Sequence, residues 1–278
     1  MIRRKSYAKI NLFLKVLGKR DDGYHDIVTL MQRISLCDEM TFQKKGRDIV
    51  VKCPGSDLPE DGDNIIFKAA EALFSYTHQN RGVEITVVKN IPIAAGLGGG
   101  SSNAATTLTT LNEIMELNLG REELMEIGAK LGADVPFFVL GKTAWASGIG
   151  DKLLVADRMP KMWYVLINPG FEVSTKEVYG NLKLGLTKDA IKYNMPRSKL
   201  VSQIVDDLTN DLEGVSSSLY PAIPQIKERL RTHGALGSLM SGSGPTVFGI
   251  FKSKQSALKA EEELRMVQEG SVFSAHTI

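Results

Sequence analysis

No stretch of this chain restricts its folding more than Pro92-Ile-Ala-Ala-Gly-Leu-Gly-Gly-Gly-Ser-Ser-Asn-Ala-Ala-Thr-Thr-Leu108, where glycine fills position 96 and positions 98 to 100. Glycine loses more conformational freedom on folding than any other residue, so such a cluster is costly unless bare backbone is needed. Gly82 to Val88 alternates as a strand does, and Ala104, Ala105, Leu108, Leu111 and Met115 keep helical spacing afterwards. Strand, glycine loop and helix start, in that order, suggest an anion cradle. The first turn of a helix has unpaired N–H groups and about half a positive charge, and missing side chains let phosphate oxygens approach. Ser101 and Ser102 add hydroxyl donors. A flexible turn is the plain alternative, but the glycine density beside Ser-Ser favours a phosphate site. Two familiar phosphate loops do not match. The Walker pattern needs a lysine that is absent here, and the dinucleotide fingerprint needs glycine where Ser101 stands.

Elsewhere the pattern mixes strands and helices. From Tyr7, the residues Ala8, Ile10, Leu12, Leu14 and Val16 share one face, and Tyr7, Lys9, Asn11 and Phe13 the other, which predicts a half-buried strand. After the turn Gly18–Gly23 a second strand runs from Tyr24-His25 through Leu36, with further strands at Glu39–Gln43 and Ile49–Lys52. Asp63-Asn64 predicts a helix start before Ile66, and a short helix over Arg121–Leu131 stops at Gly132. Pro136 disfavours helical geometry at Val135, so Ala133-Asp134-Val135-Pro136 is expected to be a non-helical turn. Later strands are expected at Trp163–Ile167 and Thr246–Phe251, with helices at Thr175–Leu182, Pro221–Arg231 and Lys254–Val267. Such a mixture, with hairpins among helices, points to α+β.

At 278 residues the chain exceeds one ordinary core, so two domains are expected, dividing at residue 158 into 1–158 and 159–278. A net charge of +2 without a basic run gives no reason to expect nucleic acid. Cys37 and Cys53 form no metal or redox spacing, no secretory pattern opens the chain, and no apolar run is long enough to span a membrane. A cytoplasmic protein without a membrane partner, monomeric or weakly homodimeric, is expected.

Pro92-x-x-x-Gly-Leu-Gly-x-x-Ser-Ser closely resembles the phosphate loop of the GHMP kinases, the superfamily of galactokinase, homoserine kinase and mevalonate kinase. Ser6-Tyr-Ala-Lys-Ile-Asn-Leu-Phe-Leu14 and Met240-Ser-Gly-Ser-Gly-Pro-Thr-Val247 resemble its amino-terminal and carboxy-terminal motifs, in the expected order. The resemblance implies a two-domain α+β fold with the active site in the cleft between domains, the second domain being ferredoxin-like. Ala8-Lys9-Ile10-Asn11-Leu12, Asp22-Gly23-Tyr24-His25 and Leu131-Gly-Ala-Asp134-Val-Pro136 resemble one branch. That branch transfers the γ-phosphate of ATP to the 2-hydroxyl of 4-diphosphocytidyl-2-C-methyl-D-erythritol, on the non-mevalonate route to isoprenoid precursors.

The resemblance also implies roles. Lys9 and Asp134 would be catalytic, the lysine polarising the acceptor hydroxyl and the aspartate acting as general base. Pro92, Ile93, Ala94, Ala95, Gly96, Leu97, Gly98, Gly99, Gly100, Ser101 and Ser102 would hold ATP, with Asn64 and Lys89 nearby. Substrate would meet Asn11, Thr175, Gly242 and Ser243, with Tyr24 stacking on cytosine, His25 bonding its edge and Tyr179 closing the far side of the ring. From pattern alone Lys9 reads as a solvated lysine, and only the resemblance raises it above that; Asp134 also reads as a turn or cap residue, Tyr24 and His25 as packing, Lys89 as exposed and Asn64 as a cap. Many relatives place Ser-Ser directly after Gly-Leu-Gly, where the second serine helps to hold magnesium; here Gly99-Gly100 stand there. Mg2+ is therefore implied with ATP, but no protein ligand is assigned. Homoserine- or mevalonate-type kinases, a nucleotide-driven decarboxylase and a silent ATP-binding regulator are the rival readings.

Overall fold

The computed structural model describes residues 1–79, 81–156, 159–182 and 200–278. The boundary expected at residue 158 lies outside the described residues. The chain forms two compact units, each assembled from several segments.

The first unit comprises Met1–Ala8, Cys37–Pro92 and Gly98–Lys142. It takes in the start of β1 (Ile2–Lys19) and the end of β2 (His25–Lys44), followed by β3 (Ile49–Lys52), α1 (Ile65–Tyr76) and β4 (Val83–Val88). Strand β4 pairs antiparallel to β2, from Glu39 opposite Val88 to Lys44 opposite Val83, and parallel to β3. Helices α2 (Gly99–Ile114), α3 (Arg121–Leu131) and α4 (Val135–Leu140) complete it. The inward face of the strands (Met40, Phe42, Ile85, Val87) packs against Ile66, Leu73, Leu108 and Leu111 of the helices. Burying that apolar surface is the main drive for the unit's folding.

The second unit comprises Lys9–Leu36, Ile93–Leu97 and Thr143–Ile278. There β2 pairs antiparallel to β5 (Ala144–Gly148), which pairs in turn with β6 (Lys152–Val155). A separate four-stranded antiparallel sheet is formed by β7 (Trp163–Asn168), β9 (Gly237–Met240), β10 (Val247–Phe251) and β11 (Ser271–His276), in the order β11-β7-β10-β9. Around these strands lie α5 (Thr175–Gly180), α6 (Val201–Asp206), the short β8 (Thr209–Asn210), α7 (Glu213–Leu219), α8 (Ala222–Thr232) and α9 (Lys254–Val267). Leu230, Ile226, Leu264 and Ala260 of α8 and α9 cover Val165, Ile167, Val247 and Phe251 of the sheet. The helices and antiparallel strands accord with the expected α+β class.

Three local expectations are corrected. Strand β1 is buried on both faces between Ala8 and Leu14, with Lys9 at 5% and Asn11 at 3% exposure. The face predicted to be wet carries Phe13, whose ring meets Trp145 edge-on at 5.5 Å. The runs at Tyr24–Leu36 and Glu39–Gln43 are one continuous strand, β2. Of the non-helical turn expected over Ala133–Pro136, Ala133 and Asp134 do turn, but Val135 and Pro136 open α4, with Pro136 in its first turn. A proline costs little there, because first-turn N–H groups have no partner inside the helix.

Candidate active site

Helix α2 opens at Gly99 behind Gly98, whose φ of 68° is the left-handed conformation that glycine supplies freely. The amide of Ser102 donates to Gly98 O at 2.9 Å, the first bond of the helix. The amides of Gly99, Gly100 and Ser101 precede it and find no partner within the helix. Upstream, Ile93 and Ala94 are exposed, while Ala95 and Leu97 are buried and anchor the segment. Ala94 adopts φ 51°, a conformation that non-glycine residues enter at a cost and that clusters at functional loops. Lys9 N donates to Leu97 O at 2.9 Å, and Ser241 Oγ to Gly96 O at 2.9 Å, so segment 93–97 is fastened within the second unit.

Strand β1 presents Lys9 and Asn11 two residues apart on one face, as expected. Lys9 Nζ donates to Asn11 Oδ1 at 2.7 Å, Asn11 Nδ2 to Thr29 Oγ1 at 2.8 Å, and Thr29 Oγ1 to Phe13 O at 2.6 Å. Burial at 5% rules out a solvated lysine. Asn11 N also donates to Ser241 Oγ at 3.3 Å. Gly242 lies against the same residues: a Cβ there would stand 3.4 Å from Gly96 O and 3.5 Å from Asn11 Oδ1. The carboxy-terminal glycine motif thus backs both the loop and the lysine strand.

Asp134, in the first unit, stands at the N-cap position of α4 but its side chain makes no capping hydrogen bond. Its place is set by close packing of α3 on α4, since a Cβ on Gly128 would come within 2.8 Å of Val135 Cγ1.

The candidate base-recognition residues meet only in part. The Asp22-Gly23 turn, in which Tyr24 N donates to Asp22 Oδ1 at 3.1 Å and Gly23 has φ 86°, leaves Tyr24 61% exposed. Tyr179 packs on His25 with ring centroids 4.9 Å apart. Desolvation, and then the charge of Lys19, push the His25 imidazole below its ordinary pKa. Four residues before Tyr179 on α5, Thr175 Oγ1 and Ser243 Oγ are 2.8 Å apart. Thr175 and Tyr179 therefore share one side of the helix.

Two residues expected near ATP are held by the protein itself. Asn64 Oδ1 accepts from Ile66 N at 2.8 Å as the N-cap of α1, and its Nδ2 donates to Pro59 O at 2.5 Å. Lys89 Nζ forms an ion pair with Asp38 and donates to Asn103 Oδ1 at 3.1 Å. Sequence pattern assigns no role to Asp38, Asn103, Ser6 or Ser241, although the last three lie inside the quoted motifs. A signal for Asp38 existed: period two puts it on the face of Met40 and Phe42, and all three are buried to within 1%.

Comparison with known proteins bears on these groupings. The family model for the GHMP kinases N terminal domain matches residues 64–142, and that for GHMP kinases C terminal matches 197–267. A 4-diphosphocytidyl-2-C-methyl-D-erythritol kinase of Syntrophus aciditrophicus is 52% identical over 278 residues, covering 100% of each chain. The chain belongs to the GHMP kinases. A crystal structure of 4-(cytidine 5'-diphospho)-2C-methyl-D-erythritol kinase matches this GHMP kinase with a TM-score of 0.83 and 32% identity, covering 99% of each chain. A mevalonate kinase crystal structure gives a TM-score of 0.73 at 14% identity over 100% of this chain and 99% of that one, a likeness of fold alone. The fold expected from the glycine loop and its flanking motifs is therefore that of the family. Set against the loop pattern described above, this GHMP kinase has glycine at 99 and 100, so bare backbone extends two residues further into α2.

Proposed function

We propose that this enzyme transfers the γ-phosphate of ATP to the 2-hydroxyl of 4-diphosphocytidyl-2-C-methyl-D-erythritol. The carrying observation is the 52% identity over 100% of both chains with a kinase named for that substrate, in a chain that has Asp22-Gly23-Tyr24-His25. In this reading the helix-start amides of residues 99–101 and the loop from Pro92 grip the ATP phosphates. Asp134 takes the proton of the acceptor hydroxyl, and Lys9 offsets charge on the transferred phosphoryl group. The base of the substrate lies with Tyr24, His25 and Tyr179, and its phosphates with Gly242, Ser243 and Thr175. Asn64 and Lys89 act on ATP by shaping the entrances to α1 and the loop. The segments 1–158 and 159–278 would carry the nucleotide half and the remaining half of this work, in a cytoplasmic monomer or weak homodimer.

Mg2+ would arrive with ATP, whose phosphates and water supply most of its ligands. Ser102 is 2% exposed and its Oγ accepts from Ser6 Oγ at 2.8 Å, and the Asp38 carboxylate is occupied by protein donors. Neither fits as an ion ligand, so no step is assigned to a protein-bound metal.

The test is ADP release with diphosphocytidyl-methylerythritol, homoserine and mevalonate as alternative acceptors. Turnover confined to the first is expected; turnover with either of the others and not the first overturns the substrate.

A further inference from the structure

In the first unit a single carboxylate touches both sides of the glycine loop. Asp38 Oδ1 accepts from the amides of Asn90 and Ile91, each at 2.8 Å, on the chain entering the loop. Asp38 Oδ2 accepts from Asn103 Nδ2 at 2.9 Å, on α2 leaving the loop, and pairs with Lys89 Nζ. Asn103 closes the ring by accepting from Lys89 Nζ at 3.1 Å, and its Nδ2 also reaches Ser6 Oγ at 2.9 Å. Ser6, Asp38 and Asn103 are all within 1% of full burial, and the Lys89 side chain is 9% exposed. A Cβ on Gly99 would stand 3.3 Å from Lys89 Nζ, so the ammonium rests against the bare start of α2.

We infer that Asp38 is a positioning residue for the phosphate loop, setting the span between Ile91 and the first turn of α2 and holding Lys89 beside it. The reasoning is electrostatic. A buried carboxylate is tolerated only with its lone pairs filled, and each donor it gathers is thereby fixed in place. Two backbone amides on one side and a helix side chain on the other leave little freedom in the separation of the loop's ends. An anion cradle depends on that separation, because its amides must already converge where the phosphate oxygens will lie. Asp38 would thus act on ATP without touching it. This inference rests on the loop's being the ATP phosphate site.

The test uses the full chain and three variants. Asp38→Asn keeps the size but replaces one accepting oxygen with a donor, and Asn103→Ala removes the tie from Asp38 to α2, with the bonds to Lys89 and Ser6, at a helical position that favours alanine. Asp38→Asn should weaken ATP binding, measured by calorimetry, about ten- to a hundredfold, the worth of one or two charge-assisted hydrogen bonds. Asn103→Ala should weaken it less but in the same direction. KM for ATP should rise in both while KM for the alcohol stays within error. Gly100→Asp, at an exposed position with no atom nearer than 3.8 Å to a built Cβ, places a carboxylate among the amides themselves. If Gly100→Asp also leaves ATP affinity unchanged, the loop reading itself is wrong. If Gly100→Asp abolishes binding while Asp38→Asn and Asn103→Ala bind ATP normally, merely melting earlier, then Asp38 is structural and the inference falls. Should Asp38→Asn not fold, Asn103→Ala decides alone.

Discussion

The hydroxyl of Ser241 donates to the carbonyl of Gly96 at 2.9 Å, joining residues 145 positions apart, and Ser241 O would lie 2.2 Å from a Cβ on Gly96. Gly96 also has φ 75°. Its lack of a side chain is therefore required twice, by backbone conformation and by close approach. Gly96→Ala should cost at least about 1–2 kcal/mol from the left-handed backbone alone, with the clash added. Ser241→Ala, which loses the bonds to Gly96 O and from Asn11 N but creates no clash, should cost about 0.5–1.5 kcal/mol for each. Chemical denaturation distinguishes them, and a Gly96→Ala protein as stable as the parent would contradict this packing.

Asp134 stands at the start of α4 without capping it, so its carboxylate contributes no cap bond to stability. Asp134→Asn should leave KM for ATP nearly unchanged. As the proposed base, it should lower kcat by about a hundredfold to ten-thousandfold. Steady-state kinetics over both substrates measures this, and near-normal turnover would remove the assignment.

Lys9 is buried beside Asn11, and the strand around it packs on both faces. Lys9→Met fills similar space without the charge. Stability should fall by about 1–3 kcal/mol, because Asn11 Oδ1 loses its donor. The kcat loss should be larger, about a hundredfold to a thousandfold, if the ammonium stabilises charge in the transition state. Equal losses in kcat and in folded fraction would make Lys9 a packing residue only.

His25 has its pKa lowered from 6.5, first by desolvation and then by Lys19, so it is neutral at pH 7. Protonation favours the unfolded chain. The stability contributed by the neutral ring is present above the unfolded pKa and drains away as pH falls through 6.5 towards the folded value. Acceptor binding should follow the folded value: KM for the cytidylyl substrate stays flat from about pH 8 to below 6.5 and rises only beyond, with KM for ATP unmoved. His25→Gln should flatten that profile. A rise that persists in the variant would exclude His25 as its source.

Local pattern went far in this protein. The glycine cluster marked a loop that does open a helix at Gly99, alternation located most strands, and Asn64 marked the start of α1. These features are readable because backbone conformation and apolar periodicity depend on near neighbours. Family membership too was carried by short motifs, each a run of adjacent residues. Burial of the second face of β1, which turns Lys9 from a solvated residue into an enclosed cation, depended on Trp145 and Thr29 arriving from elsewhere in the chain. The pairings of Asp38, Asn103, Ser6 and Ser241 are invisible in sequence, even where the residue lies in a motif, because their partners are as many as 145 positions away. Polar pairing carries no periodic signature; only the folded chain, by excluding water and leaving each buried donor needing an acceptor, decided which of them matter.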